Sequence, residues 1–125
     1  MSNKNSENPK IGAEFQTKAA KKLEEHFKVK FIEEVKIPIG CPPKDHKFDC
    51  VSENKEIVAE CKCYTWTDSG NSPSAKLSKL NEAAFYMSFL PKITKKIIVM
   101  SKADHISKKE TLAEYYFRLY RYLLI

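Results

Sequence analysis

The chain has 125 residues, 42% of them hydrophobic and 30% charged, with a formal net charge of +6. Such a length and balance describe one soluble globular domain that can build a core without disulfide staples. They exclude a helical membrane protein, because no apolar run approaches the roughly 20 residues that span a bilayer.

The polar start MSNKNSENPK has no apolar signal-peptide stretch. This predicts an intracellular, cytoplasmic protein whose Cys41, Cys50, Cys61 and Cys63 are free thiols. A pI near 9.1 favours a polyanionic partner. Twenty lysines stand against two arginines, Arg118 and Arg121. Lysine meets phosphate as a point charge, whereas bidentate reading of guanine falls to arginine. A nucleic-acid partner is therefore expected to be held mainly by its backbone. An AT-rich genome would produce the same lysine excess.

Residues Met1 to Glu7 read as a disordered tail and 8–125 as a single domain. Asn8-Pro9 supplies an N-cap and a first-turn proline for a helix to about Lys28. Ile11, Phe15, Ala19, Leu23 and Phe27 form its apolar stripe. VKFIEEVKI then alternates, which predicts a first strand with Val29, Phe31, Val35 and Ile37 on one face, ended by Pro38. Gly40 to His46 reads as a loop.

Lys47 to Trp66 reads as a β-hairpin, with Val51 and Ile57-Val58-Ala59 flanking the polar turn Ser52 to Glu56. A loop centred on Asn54-Lys55 sets Val51 opposite Val58, Cys50 opposite Ala59 and Asp49 opposite Glu60. Alternation then puts Glu60 and Lys62 on one face, joined there by Asp49. Two carboxylates directly across a ladder repel, and a shared cation removes the penalty. Mg²⁺ is typically held by one or two carboxylates with water and phosphate, so the trio describes a phosphodiester-cleaving site.

Tyr64 to Ser72 is a polar loop carrying the one tryptophan, Trp66. Ser72-Pro73 caps a helix to about Leu90, stopped by Pro91, with Leu80, Ala83, Ala84, Met87 and Leu90 on its buried side. Lys95 to Met100 is a strand of buried type. Ser107 to Glu110 forms a capping box for a last helix, with Leu112, Tyr115, Tyr116, Leu119, Tyr122 and Leu123 at helical spacing. Its five aromatics between Tyr115 and Tyr122 serve the core or a homodimer face. His26 and His105 sit near helix ends and read as surface residues.

Asp49, an eleven-residue step, then Glu60-Cys61-Lys62 on the next strand resembles the PD-(D/E)xK nuclease superfamily. Phe48 stands where that pattern often has proline, a departure many members share. The resemblance extends over nearly the whole chain through the order α-β-β-β-α-β-α. It implies an α/β, restriction-endonuclease-like core, a central mixed sheet flanked by helices. It also implies a Mg²⁺-dependent endonuclease, with Mn²⁺ as a substitute, acting on DNA in restriction, repair or junction resolution.

Under that resemblance Asp49, Glu60 and the backbone carbonyl of Cys61 hold the metal, while Lys62 orients or deprotonates the attacking water. Glu14 on the first helix matches an acid that often reaches the metal site; otherwise it is a surface acid favouring a helix N-terminus. Lys44, Lys47, Lys76 and Lys79 become candidates for phosphate contact, and Trp66 for stacking on a base or sugar. Their alternatives are solvated charge and a plug for the core.

Two rival readings stand beside this one. A catalytically inactive nucleic-acid-binding module would bind in a salt-sensitive way without product. A structural zinc site could draw on the four cysteines and His46, but their spacings of 9, 11 and 2 lack the paired pattern of such sites. With three glycines in all, a phosphate-cradling glycine loop is close to excluded.

Overall fold

The computed structural model describes residues 9–63, 74–101 and 111–120. Seven elements follow one another: α1 (Pro9–Phe27), β1 (Phe31–Ile39), β2 (Lys44–Ser52), β3 (Ile57–Lys62), α2 (Ser74–Met87), β4 (Lys95–Met100) and α3 (Leu112–Tyr120). The strands form one mixed sheet in the order β1-β2-β3-β4. The β1/β2 and β2/β3 pairs are antiparallel, and β3/β4 is parallel. A parallel neighbour cannot be reached by a tight turn, and α2 lies in the crossover between β3 and β4. The protein is thus α/β, with helices against a mixed sheet.

Helix α1 ends at a left-handed Lys28 (φ 60), whose N–H reaches back to the Glu24 carbonyl at 2.8 Å. Glu24 then accepts the Phe31 N–H at 2.9 Å, tying the helix to the strand that follows. Ala20 and Leu23 pack on Phe31, Cys50 and Ala59, so α1 covers one face of the sheet. On the other face Phe48, Val51 and Val58 meet Met87 and Leu90 at the end of α2. Leu77 and Leu80 of α2 join Leu112 and Tyr116 of α3, with the Tyr116 hydroxyl 2.9 Å from Asn81 Oδ1. Phe48 is fully buried, and truncating such a ring costs about 3–5 kcal/mol.

The hairpin has the register its turn predicts, Cys50 with Ala59 and Val51 with Val58. Ser52 Oγ donates to Asn54 Oδ1 and accepts the Ile57 N–H at 2.9 Å. Lys55 supplies the left-handed turn residue, at φ 60.

Strand β1 departs from the predicted pattern. Alternation places Val29, Phe31, Val35 and Ile37 on one face, but Phe31 and Val29 belong to the α1 side and Val35 and Ile37 to the α2 side. The break falls at Glu34, whose φ is +56, and the β1/β2 pairing passes from Glu33↔Cys50 to Val35↔Phe48 without pairing residues 34 and 49. Pro38 lies within β1 rather than ending it, because β1 is an edge strand and a missing N–H there breaks no inner ladder. The predicted loop to His46 is shorter as well, since β2 already begins at Lys44.

Helix α2 ends at Met87, and Leu90 is buried from the turn beyond it. The predicted capping box at Ser107–Glu110 lies outside the described residues, as do Trp66, His105, Tyr122 and Leu123. Within them α3 opens on a reciprocal cap: Thr111 N–H donates to Glu114 at 2.8 Å, and Glu114 N–H to Thr111 Oγ1 at 3.2 Å. Among the described residues no helix is long and apolar enough to cross a membrane.

Candidate active site

The hairpin ladder stops where the two acids arrive. Beyond Cys50↔Ala59 the next couple would be Asp49 and Glu60. There the side chain of Asp49 takes over from the backbone, its Oδ2 accepting the Cys61 N–H at 2.7 Å. A strand residue directs its N–H and C=O to the same neighbour. The Cys61 carbonyl therefore also faces β2, on the Asp49 side, as a backbone ligand would require.

Glu60 follows Val58 in the strand alternation and so points to the α2 face. It is only 6% exposed, and its Oε1 is buried without a hydrogen-bond partner. Burial, the charge of Asp49 and a side-chain hydrogen bond with Asp49 push the Glu60 carboxyl up to about 8 from an ordinary 4.5. The charge of Lys62 and a backbone hydrogen bond from Asp49 pull the other way. A buried carboxyl with one unpartnered oxygen beside a second acid is unfavourable in its ionised form, and a divalent cation relieves both the desolvation and the repulsion.

Lys62 shares the Glu60 face, two residues on, and is half-buried. Asp49, Glu60 and Lys62 are thus brought together. Glu14 is not: it is exposed on α1, the helix that covers the opposite face, and does not act on Glu60. The nearby residues Gln16 and Thr17 bond Glu33 of β1 instead.

Among the phosphate-contact candidates, Lys44 is exposed at the start of β2. Lys47 pairs with Glu34 at 3.2 Å, and Lys79 with Glu82 at 3.9 Å. Lys76 is half-buried on the first turn of α2. Exposed pairs of this kind hold weakly and exchange readily for phosphate.

His46 belongs to this constellation too. Its Nε2 lies 4.0 Å from Glu60 Oε1, and its ring stacks on Tyr86 of α2 at 4.2 Å. Strict alternation would set His46 with Phe48 and Cys50, on the face opposite Asp49 and Glu60; the change of face at Asp49 brings it to the Glu60 side.

The thiols form a different group. Cys50 and Cys61 Sγ stand 3.8 Å apart on the α1 side, and the hydrogen bond between the two thiols, then burial, drive the Cys61 thiol far above its usual range. The Cys61 thiol therefore stays protonated, and Cys50, buried beside it, packs as a small apolar group. Cys41 is exposed. Among the described residues no three His, Cys, Asp or Glu side chains already enclose a common point. Two carboxylates with water satisfy Mg²⁺, so the acid pair fits such an ion, whereas a tetrahedral zinc set would need four ligands. A separate apolar groove of about 1010 Å³ runs between α2, β4 and α3, lined in part by Met87, Leu90, Ile98, Met100, Tyr116 and Phe117.

Compared with known proteins, the chain matches no protein-family model, no curated protein and no solved structure.

Proposed function

We propose that this chain is a divalent-cation-dependent endonuclease with a restriction-endonuclease-like core, hydrolysing phosphodiester bonds of DNA. One observation carries the reading: Glu60 is buried with an unpartnered oxygen, beside Asp49 and on the face of Lys62. A side chain so placed lowers stability, and such strain collects where it serves chemistry. The α/β element order and the parallel β3/β4 pair are compatible with this reading and support it.

In this reading Asp49 and Glu60 hold the cation, with the Cys61 carbonyl directed to the same side. The bound Mg²⁺ or Mn²⁺ supplies Lewis-acid neutralisation of phosphate charge. Lys62 orients the attacking water with its ammonium and offsets negative charge in the transition state. Glu14 is left out of this set. Lysines on the surface hold the DNA backbone, and the exposed Phe117 of α3 favours the C-terminal helix as a self-association face.

The test is incubation of the full chain with supercoiled, branched and single-stranded DNA, with Mg²⁺ or Mn²⁺ and with EDTA. Nicking that needs the metal and vanishes in Lys62→Ala is the expected result. Salt-sensitive binding with no product on any substrate would replace the enzyme with a silent binding module.

A further inference from the structure

A ring nitrogen of His46 faces the unpartnered oxygen of Glu60. His46 Nε2 lies 4.0 Å away, too far for a hydrogen bond. The ring is held in that attitude from two sides, stacked on Tyr86 at 4.2 Å and edge-on to the buried Phe48 at 4.7 Å. The His46 side chain keeps 29% of its surface exposed, whereas Glu60 Oε1 is buried. A pair of donors on one cation, with bonds of about 2.1 Å, stands about 3.0 Å apart when adjacent and about 4.2 Å apart when opposite. The observed separation falls between these limits.

The geometry points to His46 as a nitrogen ligand of the cation held by Asp49 and Glu60, giving the site a preference for transition-metal ions over Mg²⁺. This rests on the functional reading above, and goes beyond it by naming a third side chain and the class of ion. Carboxylates and water suit Mg²⁺, Ca²⁺ and Mn²⁺, whereas imidazole strengthens binding of the later divalent ions. As they stand the three side chains do not form a group that could hold an ion, so the assignment requires them to draw together on binding. Relief of the repulsion between Asp49 and Glu60 favours that closure.

The experiment is calorimetric titration of the full chain, without nucleic acid, with Mg²⁺, Mn²⁺ and Co²⁺, for wild type, His46→Gln and Glu60→Gln. A site of carboxylates alone already favours Mn²⁺ mildly, so the decisive quantity is the change in the Co²⁺/Mg²⁺ affinity ratio. His46→Gln is expected to lower that ratio at least tenfold. Pulsed electron paramagnetic resonance of the wild-type Mn²⁺ complex is expected to show ¹⁴N coupling, a measurement that needs no variant. An unchanged ratio, or a Mn²⁺ complex without ¹⁴N coupling, overturns the role of His46 and leaves the acid pair standing. Wild-type metal affinity in Glu60→Gln overturns the acid pair, and the assignment of His46 with it.

Discussion

The carboxylate of Asp49 holds the N–H of Cys61 at 2.7 Å, so an acid of the candidate site also serves as a rung of the sheet. The two roles separate by substitution. Asp49→Ala leaves the Cys61 N–H without its acceptor, at a cost of about 1–3 kcal/mol. Asp49→Asn keeps an acceptor and removes a like charge from Glu60, so its cost stays below about 1 kcal/mol. Both variants are expected to lose cleavage, which urea denaturation and plasmid nicking read separately. Equal destabilisation by Ala and Asn would deny the rung, and nicking at the wild-type rate by Asn would deny the metal role.

Glu60 gives the fold a pH dependence of unusual sign for a carboxylate. Its folded value, raised to about 8 by burial and by Asp49, lies above the ordinary 4.5 of an unfolded chain. Between those limits the folded state holds the extra proton, so stability falls as pH rises and levels off beyond about 8. Asp49, His46 and Lys62 are the ionisable groups that face it. The fall is on the order of a few kcal/mol. Thermal unfolding in EDTA at pH 5, 6.5 and 8 should show declining midpoints, partly recovered at pH 8 by Mn²⁺. A flat or rising series would mean that Glu60 is ionised in the fold.

Removing that charge should divide stability from activity. Glu60→Gln keeps the volume and hydrogen-bonding capacity of the side chain without its charge. At pH 8 and without metal, this variant is expected to be more stable than wild type by on the order of 1–3 kcal/mol. It should cleave nothing. A destabilised Glu60→Gln would make the carboxylate a structural group, and the case for a metal site would go with it.

The hairpin was legible because its information is local: a polar turn between β-branched runs fixes the register, and the register fixes which acids are neighbours. The helix stripes were legible for the same reason, as in Ala19 and Leu23 or Leu80 and Met87, all buried. What periodicity misjudges is β1, because strict alternation has no place for one left-handed residue, and Glu34 is a residue type that seldom adopts that conformation. His46 reads as a loop residue because Gly40, Pro42 and Pro43 mark a turn without saying where the next strand begins. The cap seen on α3, Thr111 with Glu114, stands in the sequence as T-x-x-E, four residues after the same pattern at Ser107–Glu110. The burial of Glu60 was not legible, since an acid within a strand ordinarily marks the solvated face.

Glu34 supplies the last prediction. With φ at +56 it stands opposite Asp49 in the one couple that the β1/β2 pairing skips, and there the side chains of both strands change faces. That change brings Phe48 and Val35 under α2 while leaving Cys50 and Phe31 under α1. Glycine adopts this backbone without a Cβ clash, so Glu34→Gly should stay within about 0.5 kcal/mol of wild type, the exposed pair with Lys47 being worth little. Valine is β-branched and resists positive φ, so Glu34→Val should lose about 1–3 kcal/mol. Because the same irregularity sets the position of Asp49, Glu34→Val should also weaken Mn²⁺ binding and cleavage, whereas Glu34→Gly should retain both. Urea denaturation with Mn²⁺ titration of the two variants decides it. A valine variant as stable and as active as wild type would show that the sheet changes faces without help from this residue.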